Sequence, residues 1–322
     1  MKIKLVSVLL VLISGCTIKV GVNANENLSA SPAQRHSLLN KEKWIHGSVD
    51  CKTNQDASVD VYRHDQSSFI LRQNKCLTFE APFIYVLVGE RKILVFDTGA
   101  MSDTDGFSLY EEIKKAAGAE VISKRDILVI HSHGHSDHYQ GDEQFADQSN
   151  VTLVGPSAKE MKSYFGFNEW PMGQNTIDLG NRKLTVIPTP GHQEESITIY
   201  DHQKKWLLTG DTLYPGMIYI KNWDEYKLSI DRLDKFSKSH EISAILGAHI
   251  EMTANPGKIY QIGSIYQPNE AQLDLAVSHL HKLNAALQRS SKAEKIDFDE
   301  FKIQPMGLLQ KSISNVARWF TQ

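Results

Sequence analysis

Apolar residues in this chain group into short runs separated by polar turns, and the spacing inside each run predicts its element. Residues 83–88 (FIYVLV) and 92–96 (KILVF) are strong strand signals, joined by the hairpin connection Gly89-Glu90-Arg91. Residues 127–130 (ILVI) read as a strand of the buried type. Shorter strands are predicted at 59–63, 69–72, 183–187, 196–200, 206–208 and 242–246. Helical spacing appears between them. Leu109, Ile113 and Ala116 share one face of a helix over 107–117, and 229–237 reads as a second helix. Leu273, Ala276, Leu280, Leu283 and Leu287 step by three and four, which predicts a long amphipathic helix. Met306, Leu309, Ile313, Val316 and Phe320 repeat that spacing. This alternation of strands and helices predicts an α/β layered fold in one domain.

The first 41 residues stand apart. Lys2 and Lys4 precede an apolar run over 5–13, too short to span a bilayer, and the small residues Ser14 and Gly15 follow. Residues 1–15 therefore read as an export signal peptide. Ile13-Ser14-Gly15-Cys16 resembles the bacterial lipobox, so Cys16 is expected to carry lipid and to begin the mature chain. The rest of 16–41 is rich in Asn, Ser and Ala without apolar period and reads as a lipid-anchored flexible tether. The domain proper is expected at 42–322, C-terminal helices included. The expected location is a bacterial membrane surface, facing the periplasm or the exterior.

Composition narrows the classes. The chain is 41% hydrophobic and 23% charged, which fits neither a disordered nor a polytopic membrane protein. Removing 1–15 takes away two lysines and no acid, so the formal charge falls from −3 to −5. That balance argues against nucleic acid as partner and leaves a small-molecule substrate as the expectation. With Cys16 lipidated, Cys51 and Cys76 remain. In an oxidising compartment they are expected to pair, closing a loop of roughly 26 residues.

The unusual residue is histidine. Thirteen occur, and four fall in His131-Ser132-His133-Gly134-His135-Ser136-Asp137-His138, directly after the 127–130 strand. On extended backbone His133 and His135 point to one side, Asp137 follows in that alternation, and His138 turns away. Such a segment offers imidazoles to one metal and a carboxylate plus imidazole to a second, a ligand set that suits zinc. Three His and one Asp at these offsets arise by chance in roughly one chain in a thousand.

His133-x-His135-x-Asp137-His138 resembles the HxHxDH signature of the metallo-β-lactamase-fold superfamily. The other motifs of that family occur in its order. Asp97-Thr98-Gly99 ends a strand as the first motif does; Thr189-Pro190-Gly191-His192 is similar to the third, Gly210-Asp211-Thr212 to the fourth, and Gly247-Ala248-His249 to the last. The resemblance implies an αββα sandwich with metals at one edge of the two sheets. It further implies one metal on His133, His135 and His192, a second on Asp137, His138 and His249, and Asp211 bridging both. Asp97 would hold the loop by hydrogen bonds. His131 matches no ligand position and reads as structural; His36, His46, His64, His202, His240, His279 and His281 read as surface histidines.

The chemistry this implies is hydrolysis by a dinuclear centre, with Zn2+ as the expected ion. Two divalent ions about 3.5–4 Å apart share a water and deliver hydroxide near neutral pH. That hydroxide attacks a carbonyl, with Asp137 orienting or shuttling the proton.

Three departures from relatives bear on the substrate. Asp211 stands where true β-lactamases of the family usually have Cys or Ser, and resembles glyoxalase II and lactonases instead. His135 stands where flavo-diiron reductases carry Glu, so redox chemistry is not expected. Gln193-Glu194-Glu195-Ser196 replaces the common Thr-x-Gly-Ser and reads as a solvated turn. Tyr214 matches a tyrosine of family acyl-homoserine lactonases and is a candidate catalytic donor to the oxyanion. The aromatic stretches 164–172 and 217–223 are candidate pocket walls. The leading expectation is a lactone, ester or thioester hydrolase. A β-lactamase is the second, and a catalytically silent metal-binding lipoprotein the third.

Overall fold

The strand signals at 83–88 and 92–96 become the centre of a sheet. The computed structural model describes residues 39, 41, 43–100, 107–312 and 314. The signal peptide, Cys16 and most of the predicted tether lie outside the described residues. β1 (Val59–Asp65), β2 (Ser68–Gln73), β3 (Phe83–Val88) and β4 (Lys92–Phe96) are antiparallel neighbours. Then the chain crosses over. α1 (Leu109–Ala117) and α2 (Ala119–Ser123) lead to β5 (Asp126–Ile130), parallel to β4, and α3 (Glu143–Ala146) leads to β6 (Val151–Leu153), parallel to β5. Parallel neighbours need such crossovers, and the helices cover the sheet face they pass.

α4 (Ala158–Phe165), opened by a Ser157/Glu160 capping box, carries the chain to a second sheet. It contains β7 (Asn175–Asp178), β8 (Lys183–Pro188), β9 (Ile197–Asp201) and β10 (Trp206–Gly210). β11 (Met217–Ile220) leaves it, α5 (Trp223–Ser239) crosses over, and β12 (Ala244–Gly247) and β13 (Asp274–Leu275) return. The order is β13-β12-β10-β9-β8-β7. α6 (Val277–Arg289) follows, then β14 (Ile296–Asp297) and β15 (Lys302–Pro305), which joins β11 and β14 in a third, small sheet.

Alternation along the strands builds the layers. Leu94 and Phe96 of β4 enter a core shared with Leu184, Val186, Ile199 and Leu208 of the second sheet. Ile93 and Val95 face outward and pack with Leu109, Ile113, Ile122 and Phe145 of α1–α3. On the far side Leu207 and Ile245 pack with Ile230 and Leu233 of α5 and Leu280 and Leu283 of α6. Each fully buried Leu or Ile contributes about 1.5–3 kcal/mol of transfer free energy. The result is the expected αββα sandwich.

Several elements differ from the sequence expectation. The helix over 273–287 begins at Val277, because Asp274 and Leu275 pair with Leu246 and Ile245 of β12. Residues 217–223 form strand β11 and open α5 rather than a loop. Tyr164 and Phe165 complete the last turn of α4. Residues 308–312 are helical, as the second C-terminal repeat predicted, whereas 315–322 lie outside the described residues. Leu39 is buried in the inter-sheet core and Lys41 pairs with Asp60 at 3.1 Å, so packing begins inside the stretch read as tether. Cys51 and Cys76 form a disulfide. No helix among the described residues is long and apolar enough to cross a membrane.

Candidate metal centre

Each motif leaves its sheet at the C-terminal end of a strand: Asp97 after β4, His131 after β5, Thr189 after β8, Asp211 after β10 and Ala248 after β12. Asp97, at φ +71°, organises the histidine loop. Its Oδ1 accepts the Ser132 N–H at 2.6 Å; its Oδ2 accepts the Ser132 hydroxyl at 2.9 Å and the His138 Nδ1–H at 2.9 Å. Gly210, at φ +51°, lets β10 close on this loop, since a Cβ there would lie 2.4 Å from Ser132 Cβ.

The seven expected ligand residues converge in two adjoining groups: His133, His135, His192 and Asp211; and Asp137, His138 and His249. In the first, His135 Nδ1 lies 2.9 Å from His133 Nε2 and 3.2 Å from His192 Nε2. In the second, Asp137 Oδ2 lies 3.3 Å from both His138 Nε2 and His249 Nε2. Asp211 stands between them. Its Oδ2 is 3.6 Å from His192 Nε2 and 3.8 Å from His133 Nε2, while its Oδ1 is 3.4 Å from His249 Nε2 and 3.7 Å from His138 Nε2. Extended alternation does not continue past His135, however. Ser136–His138 is a turn of 3-10 helix, and that turn carries Asp137 and His138 to the second group.

The donor set fits divalent cations. The outer nitrogens of three histidines are anchored: His138 Nδ1 by Asp97, His192 Nδ1 by the Tyr219 carbonyl at 2.7 Å, and His249 Nδ1 by the Glu80 carbonyl at 3.1 Å. That leaves each Nε2 facing the centre, the arrangement of metal-ligating histidines. Buried His138 Nε2 and Asp211 Oδ1 make no hydrogen bond among the described residues. Burial and the neighbouring imidazoles hold His133 and His192 well below the usual histidine range, so both are neutral and have a lone pair to give. Burial also lowers His249, but Asp211 and Asp137 outweigh it and raise this imidazole to about 9.

Other expected residues are placed as follows. His131 is structural: its ring nitrogens meet the Val154 carbonyl at 3.1 Å and Asp142 Oδ1 at 2.9 Å. Tyr214 packs its ring against His249 with centroids 5.6 Å apart, but its hydroxyl donates to the Met217 carbonyl at 2.7 Å and is not offered to the centre. His279, expected on the surface, is buried and its Nδ1 accepts the Ala276 N–H that starts α6. Residues 217–223 do border a cavity of about 530 Å³ through Lys221, Asn222 and Trp223, with Gln193, Glu194 and Lys311 opposite. In the 164–172 stretch, Trp170 donates to the Glu194 carbonyl at 3.2 Å, bracing the turn after His192.

Sequence reasoning missed two contributors in that turn. Glu195, read as solvated, is wholly buried, and its Oε1 accepts the Gly134 N–H at 2.9 Å. Gln193 lies with its Nε2 2.7 Å from His135 Nε2. The available signal was the missing Thr-x-Gly.

With this geometry in view, comparison with known proteins is direct. The sequence profile of the Metallo-beta-lactamase superfamily matches residues 77–242, just over half of the chain, and the protein belongs to that superfamily. The hydroxyacylglutathione hydrolases of Brucella ovis and Brucella abortus are 34% identical to it over 87 residues, 27% of this chain. That segment spans about a third (34%) of the length of those relatives. Among solved structures, a metallo-beta-lactamase from Pontibacter korlensis superposes with a TM-score of 0.46 at 16% identity, covering 72% of this chain and 100% of its own.

Proposed function

We propose that this protein is a dinuclear zinc hydrolase acting on a carbonyl substrate, namely a lactone, ester or thioester. The observation that carries this reading is Asp211, which turns one carboxylate oxygen toward each ligand group. His133, His135 and His192 would hold one ion, Asp137, His138 and His249 the other, and Asp211 both. Divalent cations bound there supply Lewis acidity and bring water to its hydroxide form near neutral pH. Everything else falls to the chain. Asp97, the Tyr219 carbonyl and the Glu80 carbonyl fix the tautomers of three histidines. Asp137 would orient or shuttle the proton that this water gives up. Tyr214 is a positioning residue that supports the His249 ring. Asp in place of Cys or Ser at 211 favours these substrates over β-lactams, and the partial likeness to hydroxyacylglutathione hydrolases favours including thioesters.

We propose also that the chain is exported and lipid-anchored through Cys16. The Cys51–Cys76 disulfide supports an oxidising compartment. Labelled palmitate should enter the wild type and not Cys16→Ser; equal labelling of both would reject the anchor.

The test of function uses zinc-loaded protein beginning at residue 17, followed in a pH-stat. An acyl-homoserine lactone, a simple ester, an S-acyl glutathione and a cephalosporin are compared, with His135→Ala as control. Turnover of any of the first three that vanishes in the variant supports the proposal. Cephalosporin turnover alone, or none at all, overturns it.

A further inference from the structure

The turn that carries two of the candidate ligands is held from the other sheet, and we propose that Glu195 and Gln193 are positioning residues that select the nitrogen His135 presents to the metal centre. This rests on the metal reading above. Gly134 separates His133 from His135, and its N–H donates to Glu195 Oε1 at 2.9 Å. Glu195 is 0% exposed. Burying a carboxylate is costly unless it is hydrogen-bonded, and here a bond lands on one of the two peptides between His133 and His135.

Gln193 acts on the ring itself. Its amide nitrogen lies 2.7 Å from His135 Nε2 and 3.2 Å from Ser314 Oγ, and its Oε1 lies 3.5 Å from Lys221 Nζ. His135 Nδ1 is the atom that meets His133 and His192. A neutral imidazole has one donor and one acceptor nitrogen, so whatever partners Nε2 decides what Nδ1 can do. With the Gln193 amide oxygen toward the ring, Nε2–H donates and Nδ1 keeps its lone pair for a cation. With the amide nitrogen toward the ring, the proton moves to Nδ1 and ligation is blocked. Here the amide nitrogen faces the ring and Oε1 faces Lys221, so ligation through Nδ1 requires the amide to turn its oxygen to Nε2, and the two residues grip one turn at two points. Both belong to the Gln193-Glu194-Glu195 segment that follows the ligand candidate His192.

The test compares wild type, Glu195→Gln, Gln193→Ala and His135→Ala. Zinc stoichiometry and affinity are read by competition with a chromophoric chelator, the cobalt-loaded proteins by visible absorption, and the metal-free proteins by thermal melting. Wild type is expected to bind two equivalents and His135→Ala one tight equivalent. Gln193→Ala should keep one site intact, weaken the other roughly tenfold to a hundredfold and shift part of the cobalt spectrum, and Glu195→Gln, whose amide oxygen can still accept the Gly134 N–H, should act on the same site less strongly. Metal-free Gln193→Ala should melt with the wild type, so it decides the matter if Glu195→Gln fails to fold. Unchanged affinity and spectrum, or equal weakening of both sites with a lowered metal-free melt, would overturn the brace while leaving the metal reading in place. A wild type that binds no zinc would overturn both.

Discussion

Asp97 concentrates three hydrogen bonds on one carboxylate, and the arrangement makes a sharp test at the residue scale. In Asp97→Asn one oxygen becomes an NH2 donor. If the oxygen is kept for the Ser132 N–H, the new N–H faces His138 Nδ1, which must then accept. The His138 proton moves to Nε2, the atom facing Asp137 and Asp211. Affinity for the second ion should fall roughly tenfold to a hundredfold with the fold retained; an unchanged chelator-competition curve would show that Asp97 does not set the tautomer. A second residue gives a pH prediction. Burial, then the nearby Arg72, lowers Lys75 to about 8. Its folded pKa lies below its unfolded value, so the unfolded chain binds more protons between about pH 8 and 10.5 and stability rises with pH across that window. The gain from this group is roughly 2–3 kcal/mol. Urea melts at pH 7 and pH 10 should show it in the wild type and not in Lys75→Met. The seven candidate ligand residues that converge are legible because each belongs to a short motif with fixed offsets. Glu195 was not, since nothing local to Gln193-Glu194-Glu195 says that its carboxylate is buried on a peptide sixty-one positions earlier in the chain.

At the scale of elements, legibility follows burial. β3 and β4 lie in the sheet centre with almost every side chain buried, so their sequences are continuous apolar runs and their bounds were read without error. β13 and β14 have two residues each and β6 three. A pattern that short has no measurable period, and pairing partners alone decide it. The Leu273–Leu287 repeat misled for a related reason: Leu273 and Ala276 fit the helical spacing, but the two residues between them, Asp274 and Leu275, pair as a strand with β12. The disulfide is an element-scale device. It ties the segment before β1 to the turn after β2 across 25 positions. In the loop-entropy account a closure of that size stabilises by roughly 3–4 kcal/mol. Cys51→Ser/Cys76→Ser should lose about that much in denaturant titration, and an equal loss should follow reduction of the wild type. A loss below about 1 kcal/mol would mean that Lys41–Asp60 and the neighbouring contacts already hold the segment.

At the scale of the whole molecule, the candidate centre lies on the seam between the two halves of the sandwich. His133, His135, Asp137 and His138 come from the loop after β5 in the first sheet; His192, Asp211 and His249 follow strands β8, β10 and β12 of the second. Both ligand groups therefore take members from both halves. The seam is already stitched by backbone: Ile197 N–H donates to the Ser132 carbonyl at 2.9 Å, and Phe83 N–H to the Ala248 carbonyl at 2.8 Å. The Tyr85 hydroxyl adds a bond to the Gly247 carbonyl at 2.5 Å. A cation in either group would clamp the sheets in the same direction as these bonds. Since the unfolded chain does not hold the ligands together, binding at a hundred times the dissociation constant adds about 2.7 kcal/mol to unfolding. For a chain of this size that corresponds to a rise in Tm of roughly 4–5 °C. Calorimetry with zinc and with excess chelator should show that difference as a shift of one cooperative transition, because the clamp spans both sheets. His249→Ala, which removes one member of the second group, should reduce the shift without splitting the transition. Two separate transitions after chelation would mean that the halves fold independently and that the inter-sheet core, not the centre, is the weaker joint. No shift at all would mean that the seam binds no zinc.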